Sequence, residues 1–255
     1  MAEGAKGSID IIYSFSVAAY VQMIKTLKYL LTLIGIIWIL ERYLHFKCIL
    51  YIRSLFSIFD AADLVKLDLP WWSFGAVDHI NNYLNGLSGQ AVVLEWGSGA
   101  STVWLARRSK KVYTLEHDIE WSKTTKTLIS DYKNVKLITV PPDGKMDGLS
   151  SQYISKKPGY RGLNFNSYVN AINKIDEKFD LIAIDGRCRS ACLKLATSKL
   201  KPNGIVLFDD SKRSRYQKAL VDSGLMIKRY KGMKSGVPFF PYETVVLTSN
   251  KLAAV

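Results

Sequence analysis

Cysteine and histidine are both scarce in this chain of 255 residues, with three of each. Cys48, Cys188 and Cys192 are an odd number without paired spacing, which excludes a disulfide framework. Cys188 and Cys192 stand four apart on a predicted helix, but no histidine or further cysteine lies near enough in sequence to complete a zinc site. They read as helix packing residues in a reducing compartment. No internal repeat or low-complexity stretch is present, which excludes a solenoid. A cleavable signal peptide does not fit either, because the first apolar run lacks a positive leader and a small-residue cleavage site. Acidic residues are also few, 22 against 35 Lys and Arg, for a net charge of +13. Such a surplus implies an anionic partner. It is concentrated between Arg187 and Lys234, where thirteen basic residues face three aspartates. That segment reads either as solvated helix faces or as a surface for phospholipid headgroups, a phosphorylated substrate or nucleic acid.

What is abundant is apolar sequence near the start. Ile11–Ile24 and Tyr29–Leu40 carry no charge, and Lys25 and Lys28 lie between them. Neither run reaches the roughly 20 residues that a membrane span needs. Joined through the two lysines, with their ammonium groups snorkelling, they form one long tilted helix. The competing readings are helices lying in the bilayer interface and an extension buried against the domain or a partner subunit. Residues 1–61 are therefore expected to be a hydrophobic helical membrane-associating segment, with membrane contact through residues 11–53. Residues 62–255 are expected to form a separate domain, starting near Ala62–Leu69, just ahead of Pro70-Trp71-Trp72.

In that domain strands alternate with helices. Strands are expected at Ala91–Glu95, Lys111–Glu116, Val135–Val140, Phe179–Ile184 and Ile205–Phe208, with a closing pair at Leu225–Tyr230 and Glu243–Thr248. The pattern predicts an α/β fold with a mostly parallel sheet covered by helices on both faces. The long Gly- and Pro-containing stretch 141–178 is expected to be functional, because structureless loops of that length are uncommon in compact domains.

Ligands of such sheets bind beyond the carboxyl ends of the strands, and the acids gather there. Glu95 precedes the turn Gly97-Ser98-Gly99, Glu116 ends the second strand, Asp185 follows the fourth, and Asp209-Asp210 follow the fifth. Glu116 lies about 20 residues beyond the glycine turn, the spacing of an acid that binds ribose hydroxyls. This motif suits both nicotinamide and S-adenosylmethionine (SAM) cofactors. A carboxylate two positions before the first glycine, Ser101-Thr102 at the third small position, and the closing hairpin favour SAM.

On these residues the chain resembles the class I SAM-dependent methyltransferases over roughly 70–248. Glu95–Thr102 looks like the family's first motif, Tyr113–Asp118 its ribose-binding strand, and Phe179–Gly186 and Leu200–Asp210 its fourth and fifth strand motifs. The resemblance implies a Rossmann-like doubly wound sheet of order 3-2-1-4-5-7-6 with strand 7 antiparallel, here with an N-terminal hydrophobic helical anchor. It implies cofactor contacts from Glu95, Gly97, Ser98, Gly99, Ser101, Thr102, Glu116 and His117. Asp185 and Asp209 fall where some O-methyltransferases hold, with Asp210, a divalent cation, and oxygen-only ligands would suit Mg²⁺. Arg187 and Arg189 are candidates either for partners of Asp185 or for a clamp on an anionic substrate. Asp185, Asp209 and His117 are the catalytic candidates, His117 as a base or as a wall of the cofactor pocket.

The expected activity is O-methylation of a glycan, lipid-linked sugar or small hydroxyl substrate by a membrane-associated enzyme, its catalytic domain in the cytoplasm, with a homo-oligomer compatible. A nucleic-acid substrate is disfavoured. The fourth strand ends Asp185-Gly186-Arg187-Cys188, without the Pro-Pro-aromatic signature of exocyclic-amine enzymes, and Pro141-Pro142 reads as a turn. The alternatives are a non-catalytic SAM-fold scaffold in a membrane assembly and an NAD(P)-dependent oxidoreductase. For the latter, Tyr153 and Lys157 have the right spacing but sit in the Gly/Pro-rich insertion.

Overall fold

A computed structural model describes residues 2–145 and 151–249, with side chains described from residue 18 onward except at 151 and 238–241. Five parallel strands form most of one sheet: β1 (Val92–Trp96), β2 (Lys111–Glu116), β3 (Val135–Thr139), β4 (Phe179–Ile184) and β5 (Leu200–Phe208). The sheet is closed by β6 (Met226–Lys234) and β7 (Val237–Thr248), with β7 antiparallel to both β5 and β6. The order is β3-β2-β1-β4-β5-β7-β6, as the sequence led us to expect. The helices are α1 (Ala2–Leu33), α2 (Ile36–Arg42), α3 (Lys47–Ser54), α4 (Ala61–Lys66), α5 (Phe74–Gly86), α6 (Ala100–Ala106), α7 (Ile119–Leu128), α8 (Asn166–Asn170), α9 (Arg189–Lys199) and α10 (Ser214–Asp222).

Strand residues alternate between two cores, as the two-residue period of a pleated strand requires. Leu94, Trp96, Ile182, Ile184 and Phe208 pack with α8 and α9 through Tyr168, Cys192 and Ala196. Val93, Leu181, Ala183, Ile205 and Leu207 pack on the other face with Trp72, Ile80, Leu84 and Trp104. Both faces are dry, which is why these strands read as near-continuous apolar runs. β5 is longer than expected. It takes in Lys201–Gly204 through a register shift opposite Phe179. Gly204 permits this, since a Cβ there would lie 2.8 Å from the Phe179 carbonyl oxygen.

The N-terminal segment differs from expectation in two ways. The helix does run unbroken through Lys25 and Lys28, but it stops before Gly35, whose φ of +79° is readily held only by glycine. Ala18–Leu33 and α2 then meet at 84°. Among the described residues no single helix is long and apolar enough to cross a membrane. Second, the expected boundary at 61/62 cuts through a charge network. Arg53, almost fully buried, donates to both oxygens of Asp63 at 2.9 Å and to Glu41 at 2.7 and 2.9 Å. Lys28 and Ser57 donate to Asp63 as well, both at 2.6 Å. Tyr51, Ser54, Ser57 and Ile58 are buried, so the packed domain reaches back to Tyr51.

Candidate functional site

The turn after β1 is shaped from both sides. Gly97 has φ +95°, and a Cβ there would come within 3.0 Å of the Gly186 backbone nitrogen. The glycine is thus needed first for the close approach of the β1 and β4 ends; any larger residue meets backbone before it meets a ligand. Asp185 N donates to Trp96 O and Gly97 N to Leu115 O, both at 2.9 Å, locking the loop to β4 and β2.

Glu95 does not face outward. It is fully buried and accepts from the hydroxyls of Ser101, Thr102 (2.7 Å) and Thr114 (3.0 Å). The Thr102 hydroxyl also accepts from Gly99 N at 3.0 Å, satisfying an amide at the start of α6. Glu95, Ser101 and Thr102, expected at the cofactor, therefore form the buried brace that sets the loop. Burial pushes the Glu95 carboxyl up to about 7 against the pull of its three hydroxyl donors.

Glu116 is also buried but is held ionised. Its oxygens accept from Ser98 N and Oγ, both at 2.8 Å, and from the backbone amides of His117 (2.7 Å) and Asp118 (2.9 Å). Burial acts to raise its pKa, but the adjacent His117 imidazole and these amides prevail and keep it below the usual carboxylate range. Ser98 is half-buried, and Trp121 donates its indole N–H to Ser98 O at 2.7 Å. A carboxylate beside a half-buried glycine turn is the acceptor that a ribose diol requires, so these residues fit the sugar end of SAM. His117 lies with its ring 5.0, 5.5 and 5.6 Å from those of Tyr160, Phe165 and Tyr168, and its Nδ1 is 2.8 Å from Glu116 but out of line for a hydrogen bond. It is buried among aromatic rings beside Glu116.

The aspartates after β4 and β5 come together as predicted, but each already holds a cation. Arg189 donates to Asp185 Oδ1 at 2.7 Å and to the carbonyls of Asp185 (2.8 Å), Gly186 (3.1 Å) and Asp209. Lys234, at the end of β6, donates to Asp209 and lies 3.4 Å from Asp210. Arg213 pairs with Asp210 at 2.7 Å, and Thr244 donates to Asp209 at 2.7 Å. Three carboxylates meet three cations, which leaves no net charge to attract Mg²⁺. The donor set does not fit the metal: among the described residues no cluster of metal-binding side chains stands free. Arg189 is a strap between strand ends, not a substrate clamp. Asp185 differs from its neighbours. Its side chain keeps 25% of its exposure. Burial and the nearby Asp209 carboxylate push it above the ordinary range, only partly offset by Arg189 and Lys234. Lys234 and Thr244 carried no sequence signal, because the hairpin returns them to the strand ends from far along the chain.

Arg187 is placed apart from this cluster. It lines a cavity of about 420 Å³ between α9, α10 and residues 152–157, with its guanidinium 5.9 Å from the Tyr160 ring centre. The expected loop 141–178 forms the other wall; its residues 146–150 lie outside the described residues. Tyr153 and Lys157 do not form a dehydrogenase pair at the glycine turn: Lys157 lines the Arg187 cavity instead.

No family model matches this sequence, and no curated protein does. Solved structures do resemble it. An O-methyltransferase from Bacillus cereus in complex with SAH aligns at a TM-score of 0.50 and 17% identity, covering 77% of this chain and 90% of that one. A methyltransferase-like protein from Silicibacter pomeroyi aligns at 0.45 and 21% identity, covering 68% and 85%. An rRNA methylase from Streptococcus thermophilus aligns at 0.46 and 15% identity, covering 69% and 95%. With the sheet order, the antiparallel β7 and the glycine turn at the end of β1, the chain has the fold of the class I SAM-dependent methyltransferases.

Proposed function

We propose that this protein is a SAM-dependent methyltransferase that methylates a hydroxyl of a glycan, lipid-linked sugar or small acceptor at a membrane surface. The observation that carries the reading is geometric: Glu116 is held by the Ser98, His117 and Asp118 amides at the glycine turn, and the partly exposed Asp185 stands at the neighbouring strand end. When bound, SAM supplies a methyl group made electrophilic by its sulfonium. Glu116 and the Gly97–Gly99 backbone hold the sugar end of the cofactor. Asp185 takes the proton from the acceptor hydroxyl; a base of raised pKa near the operating pH suits this work. Arg189, tied to three carbonyls, fixes where Asp185 points. This fixed orientation is the positioning term of catalysis.

Membrane contact rests on a separate observation. Met23, Leu27, Leu30 and Ile34 fall on one face of α1 and its end, and Trp38 and Ile39 follow on α2; all are exposed. Exposed apolar surface of this extent marks an interaction site. The 84° bend lets both helices lie against a bilayer without spanning it.

Calorimetry with SAM and with NADH tests the cofactor: SAM binding is expected, and NADH binding in its place would overturn the reading. Mass spectrometry of lipid and glycan fractions, with and without active protein, should show a methyl mass difference. With an acceptor in hand, Asp185→Asn should lower the rate by roughly 10²–10⁴ and abolish the acid limb of the pH profile. SAM binding that survives without turnover on any acceptor would favour a scaffold.

A further inference from the structure

We propose that the cavity between α9, α10 and residues 152–157 binds the phosphate or diphosphate group of the acceptor. The assignment of that anion to an acceptor rests on the methyltransferase reading; the binding itself does not. The cavity, about 420 Å³, lies within the roughly 300–1,000 Å³ of small-molecule sites. Besides Arg189, which is bound to Asp185, six cations from three parts of the chain line it: Lys156, Lys157, Arg187, Lys194, Arg215 and Lys218. One carboxylate shares the wall, Asp222, and it pairs with Lys218 at 2.9 Å.

The charges here differ in kind from those a short distance away. Arg189, Arg213 and Lys234 are each matched by an aspartate. Among the described residues no carboxylate pairs with Lys156, Lys157 or Arg187, while Lys194 and Arg215 donate to neutral partners, Gln152 Oε1 and the Tyr216 hydroxyl, both at 3.1 Å. The Arg187 Nε is buried with no partner. A buried guanidinium donor left unpaired is costly unless something fills the place of its acceptor. Partial withdrawal from water and repulsion by Arg187 and Arg189 lower the Lys157 pKa, as expected of cations crowded without an anion. The first residues of α9, Arg189 and Ser190, line the same space, and the partial positive charge of that eleven-residue helix's N-terminus adds to the field.

The number and spread of the donors select among anions. A single carboxylate is satisfied by one bidentate arginine. Cations converging from three elements suit a group carrying more than one charge and several oxygens, which is a phosphate or diphosphate. The location gives it a use. Gly186 and Arg189 belong both to this cavity and to the strand-end cluster, so an acceptor held by its phosphate presents its neighbouring atoms to Asp185.

The test uses the full chain and inorganic pyrophosphate in calorimetry. Saturable binding is expected, weakened on the order of tenfold or more by Arg187→Gln and by Lys157→Gln, but not by Lys231→Gln on the exposed side of β6. SAM binding should be unchanged in all three. Absence of pyrophosphate binding, or binding indifferent to both Arg187→Gln and Lys157→Gln, overturns the proposal. So does binding of mixed-sequence RNA through these residues where pyrophosphate does not compete. Lys157 is solvent-accessible, so its variant remains informative if Arg187→Gln fails to fold. Loss of SAM binding with pyrophosphate binding intact would instead count against the proposed function and leave the anion site standing. To identify the source of the phosphate, vesicles of phosphatidylcholine with and without phosphatidate are added. Displacement from the phosphatidate vesicles by pyrophosphate assigns a lipid phosphate; pyrophosphate binding without displacement assigns a soluble phosphorylated acceptor.

Discussion

Glu95 and Glu116 stand at the carboxyl ends of adjacent strands, yet their surroundings push them in opposite directions. Glu95 is fully buried and receives only hydroxyls, so its neutral form is favoured and its pKa rises to about 7. Glu116 is nearly as buried, but three backbone amides and an imidazole lower its pKa. The two therefore act on stability with opposite sign. A carboxyl whose folded pKa is raised binds more protons in the folded state, so its contribution is present at low pH and is lost as pH climbs from its unfolded value through about 7. Glu95→Gln keeps the neutral shape and removes the titration. The variant should become more stable relative to the parent across that interval, by roughly up to 3 kcal/mol on the pKa difference alone. Urea unfolding at a series of pH values measures this; a parent-to-variant difference independent of pH would mean that Glu95 is ionised at both ends. At this scale the sequence was legible in part. Its spacing placed Glu116 at the end of β2 beside the glycine turn, where the structure has it, because strand length and turn geometry fix that distance along the chain. It could not show that Glu95 turns inward, since that depends on Ser101, Thr102 and Thr114 closing over it.

At the scale of elements, apolar runs bounded by turn residues gave the parallel strands closely, and the bounds of β2 and β4 are those read from the sequence. What it could not give is how the β6–β7 hairpin returns. That hairpin brings Lys234 onto Asp209, so a lysine from the end of the fold occupies the place expected of a cation bound by strand-end acids. Chelation with EDTA should therefore leave SAM binding and turnover unchanged, and a loss of turnover restored by Mg²⁺ would overturn this. Lys234→Met should cost several kcal/mol in thermal unfolding, on the order of 3–5, because Asp209 would stay buried with only the Thr244 hydroxyl. The first two helices raise a different question of placement. The uncharged runs were legible, but the break at Gly35 that turns one long helix into two was not, because glycines are often tolerated within helices. Ile34 and Trp38 flank the break and are exposed. Ile34→Asp with Trp38→Asp should abolish flotation with anionic vesicles while leaving the melting temperature within a few degrees, since neither side chain supports the core. Retained flotation would transfer membrane contact to the basic surface of Arg187–Lys234.

Over the whole molecule, the helices before residue 62 and the site at the strand ends are mechanically joined. The Tyr51 hydroxyl donates to Val237 O at 3.2 Å, and Gly236 N donates to Ser54 Oγ at 3.2 Å. Both bonds hold the turn next to Lys234. The same stretch carries Arg53, whose guanidinium holds Asp63 well below the usual carboxylate range. Removing residues 1–61 would strip away Arg53, Lys28 and Ser57 together with the buried Tyr51, Ser54 and Ile58, and would free the hairpin that neutralises Asp209. A chain starting at Phe46 loses the apolar helices and Lys28 but keeps Arg53, Ser57 and both hairpin contacts. The shorter chain, from Ala62, should melt below the one from Phe46, because it loses the buried Tyr51, Arg53, Ser54 and Ile58 and both hairpin contacts. Thermal unfolding followed by circular dichroism compares the two directly. If SAM calorimetry is run on the same pair, the loss should extend to the site: the chain from Phe46 should bind SAM as the full protein does, and the chain from Ala62 should bind it weakly or not at all. Equal melting temperatures and equal SAM affinity in the two would show that the N-terminal helices are an independent appendage, with the hairpin and its lysine held in place by the sheet alone.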